Sequence, residues 1–280
     1  MTYDETTPVT VGDLTFDVRM TGPEDGEPVI LLHGFPETSL SWSAVAPLLA
    51  GAGLRVIAPD QRGYSPGARP EGADAYTTDL LADDVVGLAD VLGVGTFHLV
   101  GHDWGAAVSW VTAVRHGDRL RTLTAVSVPH LAAYGAALRG DADQQQRASY
   151  IGLLRQAGKA EDLLLDDGAR RLRAMYLDHV RPAQVDAYVA HLSAPGALTA
   201  ALNWYRAMRP DLGSLPSVTV PTTYVWSDED QAIGRAGAER CGEFVNADFS
   251  FVELTGVSHW IPEQAPEVLA GAILARVEGS

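Results

Sequence analysis

The sequence predicts a single α/β domain with a mostly parallel sheet, helices on both of its faces and one helical insertion. Short apolar stretches of strand type alternate with amphipathic stretches of helix type over the first 129 residues, which is typical of a parallel sheet. The alternation stops after Pro129 and resumes near Val218, and the intervening residues are rich in Ala, Leu, Arg and Gln. With 280 residues, 46% of them apolar, the chain can bury one large core.

The individual elements follow from hydrophobic periodicity and from the turn residues between them. In the first part of the core we expect strands at 9–11, 14–20, 28–32, 55–59, 96–100 and 120–128, and helices at 42–50, 80–92 and 106–115. In the second part we expect strands at 218–226 and 249–254, and helices at 235–244 and 263–277. The chain then divides into core residues 1–129, a helical cap at 130–213 inserted after the sixth strand, and core residues 214–280.

Charge and composition argue against several classes of partner. The formal net charge of -16 repels nucleic acid and anionic membrane surfaces. The first ten residues do not have the pattern of a secretory signal, and no window approaches about 18 consecutive apolar residues. The lone Cys241 cannot form an internal disulfide and has no partners at zinc-site spacing. We therefore expect a cytoplasmic protein that binds neither nucleic acid nor membrane and needs no metal or cofactor.

A candidate nucleophile lies between the strand at 96–100 and the helix that follows it. The residues Gly-His-Asp-Trp-Gly at 101–105 place a glycine two positions before and two positions after Asp103. This spacing is typical of a nucleophile elbow, a tight strand-to-helix turn that lifts the central side chain above the sheet edge. The alternative is an ordinary N-cap, which is the commonest role of an aspartate that precedes a helix.

A carboxylate nucleophile constrains the reaction that the site can perform. At a helix N-terminus the macrodipole keeps Asp103 ionised, so it needs no base to activate it. Attack on an ester carbonyl would give a high-energy anhydride, whereas displacement at a saturated carbon that carries a strained oxygen or a halide gives an ordinary ester. Release of product from that ester needs an activated water and an oxyanion site.

His259 is the candidate base that would activate the water. It follows an apolar strand, at the sheet edge where the active-site loops of parallel sheets gather, although a lone loop histidine is more often only a hydrogen-bonding residue. The acid that would orient it follows the preceding strand, in the run Ser-Asp-Glu-Asp at 227–230. We choose Asp230 and keep Asp228 as a rival. The order Asp103, Asp230, His259 is that of nucleophile, acid and histidine in one class of hydrolases.

Two backbone N–H groups are candidates for the oxyanion hole. The fragment HGFPE at 33–37 ends the third strand, and a turn there can aim the N–H of Phe35 at the elbow, while Trp104 supplies a second N–H. Alternatively, the fragment is only a tight exit from a strand with a buried histidine.

These motifs together resemble those of the epoxide hydrolases of the α/β-hydrolase fold. They are HGFPE at 33–37, PDQRGYSPG at 59–67, GHDWG at 101–105, WSDED at 226–230 and GVSHW at 256–260, and they span nearly the whole chain. The resemblance implies the α/β-hydrolase fold with a helical cap. It also implies conversion of an epoxide to a vicinal diol through an ester on Asp103, with water as the second substrate.

The resemblance further implies two cap tyrosines that donate hydrogen bonds to the epoxide oxygen. Tyr205, in the Asn-Trp-Tyr-Arg fragment at 203–206, matches one of them, and we choose Tyr150 as the other. The fallback choices are Tyr134, Tyr176 and Tyr188. We also expect His33, Pro36 and Trp204 to contact the substrate.

Two other functions stay open at this point. A haloalkane dehalogenase shares the fold and the aspartate nucleophile, but Phe35 occupies the position where many of those enzymes place an asparagine donor to the halide. A non-catalytic ligand-binding protein on the same scaffold would be expected to lack the nucleophile, the acid or the base, and all three are present. The expected partners are a small epoxide and water, and a homodimer is considered as the assembly.

Overall fold

A computed structural model describes Tyr3, residues 5–209 and residues 213–279. In this part of the chain, an eight-stranded sheet has the order β1-β2-β4-β3-β5-β6-β7-β8. The strands are β1 (Thr6–Val11), β2 (Leu14–Thr21), β3 (Glu27–Leu32), β4 (Leu54–Pro59), β5 (Phe97–His102), β6 (Leu120–Val126), β7 (Thr222–Glu229) and β8 (Phe249–Ser258). The β1–β2 and β2–β4 pairs are antiparallel, and the other neighbours pair in parallel.

The helices form two groups along the chain. Those of the core are α1 (Ala46–Gly51), α2 (Thr78–Val91), α3 (Trp104–Arg115), α10 (Arg235–Glu239), α11 (Ile261–Gln264) and α12 (Pro266–Glu278). Those between β6 and β7 are α4 (Leu131–Gly140), α5 (Ala142–Arg147), α6 (Ile151–Leu154), α7 (Lys159–Ala174), α8 (Pro182–Leu192) and α9 (Ala197–Arg206). Non-helical backbone at Asp166–Ala169 interrupts α7.

Helices cover both faces of the sheet, so the central strands are apolar on both sides. In β3, Ile30 and Leu32 pack in the cluster that includes α2 and α3, whereas Val29 and Leu31 pack in the cluster that includes α1 and α12. This explains why these strands are continuous apolar runs without polar alternation. The carboxyl ends of the parallel strands meet at one edge, and there the loops after β3, β5, β7 and β8 converge.

The predicted fold class is confirmed, but several elements differ from their predicted extent, and prolines account for two of the differences. β7 begins at Thr222 and not at Val218, because Pro221 has no N–H to donate to the ladder. The predicted helix at 263–277 is divided at Ala265, whose φ of -133° lies outside the helical range. Pro266 follows it, and a proline disfavours helical backbone in the residue before it.

The helices α4 to α9 occupy the place predicted for a cap. The predicted boundaries of the cap and of the two core segments stay a prediction, since residues 210–212, at the expected end of the cap, lie outside the described residues. Within the described ranges, no helix combines the length and the apolar character needed to cross a membrane.

Candidate active site

Asp103 lies in the turn between β5 and α3, in a backbone conformation that few non-glycine residues adopt. Its φ is 52° and its ψ is -118°, and such a conformation costs on the order of 1–3 kcal/mol. The flanking glycines make the turn possible, since a Cβ on Gly101 would lie 2.2 Å from the carbonyl oxygen of Gly105. Asp103 makes no side-chain capping bond to α3 within the described chain. The N-cap alternative is therefore not what the structure shows.

The loop after β3 holds one oxygen of the Asp103 carboxylate. The N–H of Phe35 donates a hydrogen bond to Asp103 Oδ1 at 2.9 Å. Gly34 permits this approach, because a Cβ there would lie 2.6 Å from Oδ1. Trp104, the other predicted donor, is the first residue of α3, so its N–H lies at the positive end of the helix dipole.

The second carboxylate oxygen of Asp103 faces His259, which follows β8. His259 Nε2 lies 3.4 Å from Asp103 Oδ2. On the other side of the ring, His259 Nδ1 lies 2.8 Å from Asp230 Oδ2 and 3.0 Å from Asp230 Oδ1. The structure therefore brings the three predicted residues together as Asp103, His259 and Asp230, in that spatial order.

Asp230, and not its rival Asp228, is the acid at His259. Asp230 is fully buried, and its Oδ1 also accepts the N–H groups of Ala232 and Ile233 at 2.8 and 2.9 Å. The Asp228 side chain is instead engaged by β8, where its Oδ1 accepts the N–H of Gly256 at 2.8 Å. A buried carboxylate that is fixed by several donors holds its partner in one orientation.

Asp103 and His259 form a buried ion pair. Burial alone would raise the pKa of Asp103, but the hydrogen bond and charge of His259 and the Phe35 N–H outweigh it and lower the pKa. Burial alone would lower the pKa of His259, but the charge of Asp230 and the hydrogen bonds with both aspartates raise it well above its ordinary value. The resting site thus holds a carboxylate nucleophile and an imidazolium.

A cavity of about 450 Å³ lies above Asp103, between the sheet edge and the helices after β6. Its wall includes Asp103, Trp104 and three tyrosines, Tyr134, Tyr150 and Tyr205. The rings of Tyr150 and Tyr205 lie 6.4 Å apart, and the Tyr205 ring lies 5.1 Å from that of Trp104. Burial raises the pKa of both Tyr150 and Tyr205 well above the ordinary value, so both are neutral phenols with a proton to donate.

Comparison with known proteins assigns the chain to a family. A family model described as the alpha/beta hydrolase fold matches residues 27–266. The chain belongs to the α/β-hydrolase fold family. The AB hydrolase superfamily protein YfhM of Bacillus subtilis is 37% identical over 95% of this chain and 95% of its own length. Epoxide hydrolase A of Mycobacterium tuberculosis is 31% identical over 95% and 96%.

Solved structures agree with the sequence relatives. A structure of the epoxide hydrolases found in metagenomes from hot environments is 29% identical, with a TM-score of 0.89 over 100% of both chains. The resemblance to epoxide hydrolases of the α/β-hydrolase fold is thereby confirmed.

The structure separates the other predicted residues of this α/β-hydrolase into two groups. Tyr134 lines the cavity with the chosen pair. The fallback residues Tyr176 and Tyr188 are buried away from it, where the Tyr176 hydroxyl donates to the Pro36 carbonyl at 2.7 Å and the Tyr188 hydroxyl donates to Glu263 at 3.3 Å.

The cavity wall, as far as the chain is described, does not include His33, Pro36 or Trp204. His33 Nε2 accepts the N–H of Gln61 at 3.2 Å, and burial lowers the pKa of His33 to about 4. The Trp204 indole donates to the Arg62 carbonyl at 2.9 Å. The substrate contacts predicted for these three residues stay a prediction, and in the structure their polar groups hydrogen-bond to neighbouring loops.

A second polar network, which the sequence did not predict, lies behind the base. His102 Nε2 donates to the His259 carbonyl at 2.8 Å, and His102 Nδ1 lies 3.2 Å from Glu37 Oε2. Glu37 is also within hydrogen-bonding reach of Glu263, at the start of the C-terminal helices. In the described residues, Glu37 Oε1 and Glu263 Oε2 are buried without any other partner.

The donors and acceptors of this network require protonated glutamates. A carbonyl only accepts, so His102 carries its proton on Nε2, and burial lowers the pKa of His102 so that the ring is neutral. The bare Nδ1 then needs a donor, which only a protonated Glu37 can be. Burial raises the pKa of Glu37 to about 7 and that of Glu263 well above its ordinary value. Glu263 can likewise donate its proton to Glu37.

Replacing Glu263 by glutamine is expected to flatten the dependence of stability on pH. Glu37 has a folded pKa of about 7 against an ordinary 4.5, so its stabilising contribution is present below pH 4.5 and is lost as the pH rises to about 7. For Glu37 this loss is about 3 kcal/mol, and the raised pKa of Glu263 adds a loss in the same direction. Glutamine keeps a donor towards Glu37 and removes one titrating acid. Denaturant unfolding at pH 5 and pH 8 measures the difference.

In that experiment Glu263→Gln should match the wild type at pH 5 within about 1 kcal/mol and exceed it at pH 8. The control is Glu267→Gln, on the exposed side of α12, which should follow the wild type at both pH values. If the free energy of unfolding changes equally with pH in Glu263→Gln and in the wild type, Glu263 is not a protonated donor to Glu37.

Proposed function

We propose that this α/β-hydrolase is an epoxide hydrolase that converts an epoxide to a vicinal diol. The observation that carries the proposal is the ionised Asp103 on its elbow, facing a cavity whose wall also carries Tyr150 and Tyr205 as phenol donors. A nucleophile below and two acids above the same space are what opening of an epoxide requires. The names of relatives such as Epoxide hydrolase A point the same way.

In the first step, Asp103 Oδ2 attacks one epoxide carbon and the carbon–oxygen bond of the ring breaks. Oδ1 is engaged by the Phe35 N–H at 2.9 Å, which leaves Oδ2 as the attacking atom. The departing oxygen takes a proton from Tyr150 or Tyr205, so no free alkoxide accumulates. The product is an ester between the Asp103 carboxyl group and the substrate, which carries a new hydroxyl group.

In the second step, water hydrolyses the ester. Esterification removes the negative charge of Asp103, which is one of the causes that raise the pKa of His259, so His259 releases its proton and becomes a base. The proton lost by His259 restores the phenol of the tyrosine that protonated the substrate oxygen in the first step. His259 then deprotonates a water, which attacks the Asp103 carbonyl carbon. Negative charge develops on Oδ1, where the N–H groups of Phe35 and Trp104 stabilise it. The bond between the carboxyl carbon and the substrate oxygen then breaks, and that oxygen takes the proton of the new carboxyl group. The diol leaves, Asp103 is a carboxylate again, and His259 keeps the proton that it took from water.

The cap tyrosines give a direct test of the first step. Tyr150→Phe and Tyr205→Phe should each slow ester formation by about 10- to 100-fold, because each removes one proton donor, and the double variant should be slower still. Single-turnover rates of ester formation measure this step alone. Tyr134→Phe tests whether Tyr134 is the second donor instead. If this variant slows ester formation more than Tyr150→Phe does, Tyr134 and not Tyr150 is the partner of Tyr205.

The haloalkane alternative is tested by the products. We expect terminal and internal epoxides to yield diols and haloalkanes of matched size to release no halide, because Phe35 offers no side-chain donor to a halide. Gas chromatography of the diols and ion chromatography of halide measure both outcomes. Halide release without diol formation would move the assignment to a dehalogenase.

We further propose that α4 to α9 act as the cap that closes the cavity. The cytoplasmic location and the homodimer expected from the sequence also remain proposals.

A further inference from the structure

The cavity wall carries three positively charged side chains in addition to the reacting groups. They are Arg139 at the end of α4, Arg155 just after α6 and Arg209 after α9. Among the described lining residues, Asp103 is the only acid. The chain as a whole has 36 acidic and 20 basic residues. The charge balance of the cavity wall is therefore the reverse of that of the whole chain.

Two of these arginines stand out because nothing in the described protein neutralises them. Most arginines of the chain form ion pairs or hydrogen bonds, and Arg209 itself contacts Asp79 at 3.5 Å. Among the described residues, the arginines without any such partner are Arg139, Arg155 and Arg171. The first two line the cavity and the third does not.

The backbone next to Arg139 leaves room for its guanidinium. A Cβ on Gly135 would lie 3.3 Å from Arg139 Nη1, and a Cβ on Gly213 would lie 3.2 Å from it. Both glycines line the cavity. Arg155 is five residues after Tyr150, at the end of the short helix α6, so a substrate with its epoxide at Tyr150 has Arg155 on the same wall.

The rest of the cavity wall is largely apolar, with Leu131, Leu138, Ile151, Met208 and Ile233 among its residues. The side chains of Arg139 and Arg155 are exposed. A low-dielectric wall strengthens the field of unpaired charges at its rim, and guanidinium groups bind planar carboxylates with two parallel hydrogen bonds. A ligand that complements this cavity has an epoxide for Asp103 and the tyrosines, an apolar chain for the aliphatic side chains, and an anionic group for the arginines.

We propose that Arg139 and Arg155 form an anion subsite, and that the substrates are epoxides joined through an apolar chain to a carboxylate. This substrate class rests on the proposed epoxide hydrolase function. In a protein with a net charge of -16, an anionic substrate is repelled by most of the surface, and the two arginines supply the local attraction that lets it enter.

The kinetic test compares a medium-chain epoxide that ends in a carboxylate with its methyl ester. Replacing both arginines, as Arg139→Gln with Arg155→Gln, should raise KM for the acid by about 10- to 30-fold at low salt and leave kcat within about twofold, because the lost contacts hold substrate and transition state alike. KM for the ester should not change. Arg171→Gln is the matched control and should leave both substrates unaffected.

A binding test separates this inference from the proposed function. Calorimetry with decanoate and with decanol needs no turnover, and only decanoate should lose affinity in the double variant. If decanoate binds with this dependence but no epoxide is hydrolysed, the subsite stands and the proposed function fails. If epoxides are hydrolysed but the acid and the ester respond alike to the double substitution, the subsite is overturned and the proposed function stands.

Discussion

Replacing His259 by glutamine is expected to stop the second step and to trap the ester on Asp103. Glutamine cannot take a proton from water, whereas the attack of Asp103 on the epoxide needs no base. Turnover should therefore fall by about 10³- to 10⁴-fold, while one substrate mass accumulates per chain. Intact-protein mass spectrometry at pH 8 measures the adduct, and peptide analysis should place it on the peptide that contains Asp103.

The pH of that experiment matters, because the His259 imidazolium is a cause of the lowered pKa of Asp103. Without it the carboxylate is easier to protonate, and pH 8 keeps it ionised. The matched control is His116→Gln, at the surface end of α3, where His116 contacts Asp83 at 2.8 Å. It should turn over like the wild type. If His259→Gln loses turnover and no adduct forms on Asp103, the result contradicts the covalent mechanism.

The parts of the site that the sequence predicts well are those set by local backbone geometry. The spacing of Gly101, Asp103 and Gly105 is a steric requirement of one turn, and the structure shows the close contacts behind it. His259 and Asp230 follow β8 and β7, and the carboxyl ends of neighbouring parallel strands meet at one edge. Their convergence on Asp103 is a consequence of the strand order.

The parts that the sequence does not predict depend on packing between distant segments. Glu37 and Glu263 are 226 positions apart, and each has an ordinary local context, so neither indicates a buried pair. One glutamate directly follows HGFP at 33–36 and the other is the third residue after HW at 259–260, and neither position specifies a contact.

The cap shows the same limit. Helix-prone composition predicts a helical cap but not the individual helices α4 to α9, and which side chains reach the cavity depends on how these short helices pack. Trp204 and Tyr205 are adjacent in α9, yet the indole of Trp204 donates to the Arg62 carbonyl while Tyr205 lines the cavity. Arg139 and Arg155 are likewise indistinguishable from surface arginines until the wall is assembled.

Replacing Asp103 by asparagine is expected to abolish ester formation. The amide has nearly the shape of the carboxylate and can still accept the Phe35 N–H, but it is neutral and a poor nucleophile. Turnover should fall by at least about 10⁴-fold, and no adduct should appear even in combination with His259→Gln. Asp228→Asn is the matched control, since its side-chain oxygen can keep the Gly256 N–H bond and its site does not contact His259.

The same substitution has an effect on His259 that distinguishes loss of the nucleophile from loss of the fold. The charge of Asp103 and its hydrogen bond are among the causes that raise the pKa of His259, so the imidazole of Asp103→Asn should titrate at lower pH than in the wild type, as followed by NMR of the ring protons. Asp230 remains, and the ring should keep its Nδ1 hydrogen bond. A misfolded variant would lose that bond and titrate as a solvent-exposed histidine.

In the wild type, one turnover in heavy-oxygen water should label Asp103 before the diol, because water attacks the carboxyl carbon of the ester. Label that enters only the diol would mean that water opens the epoxide directly, with Asp103 as a base.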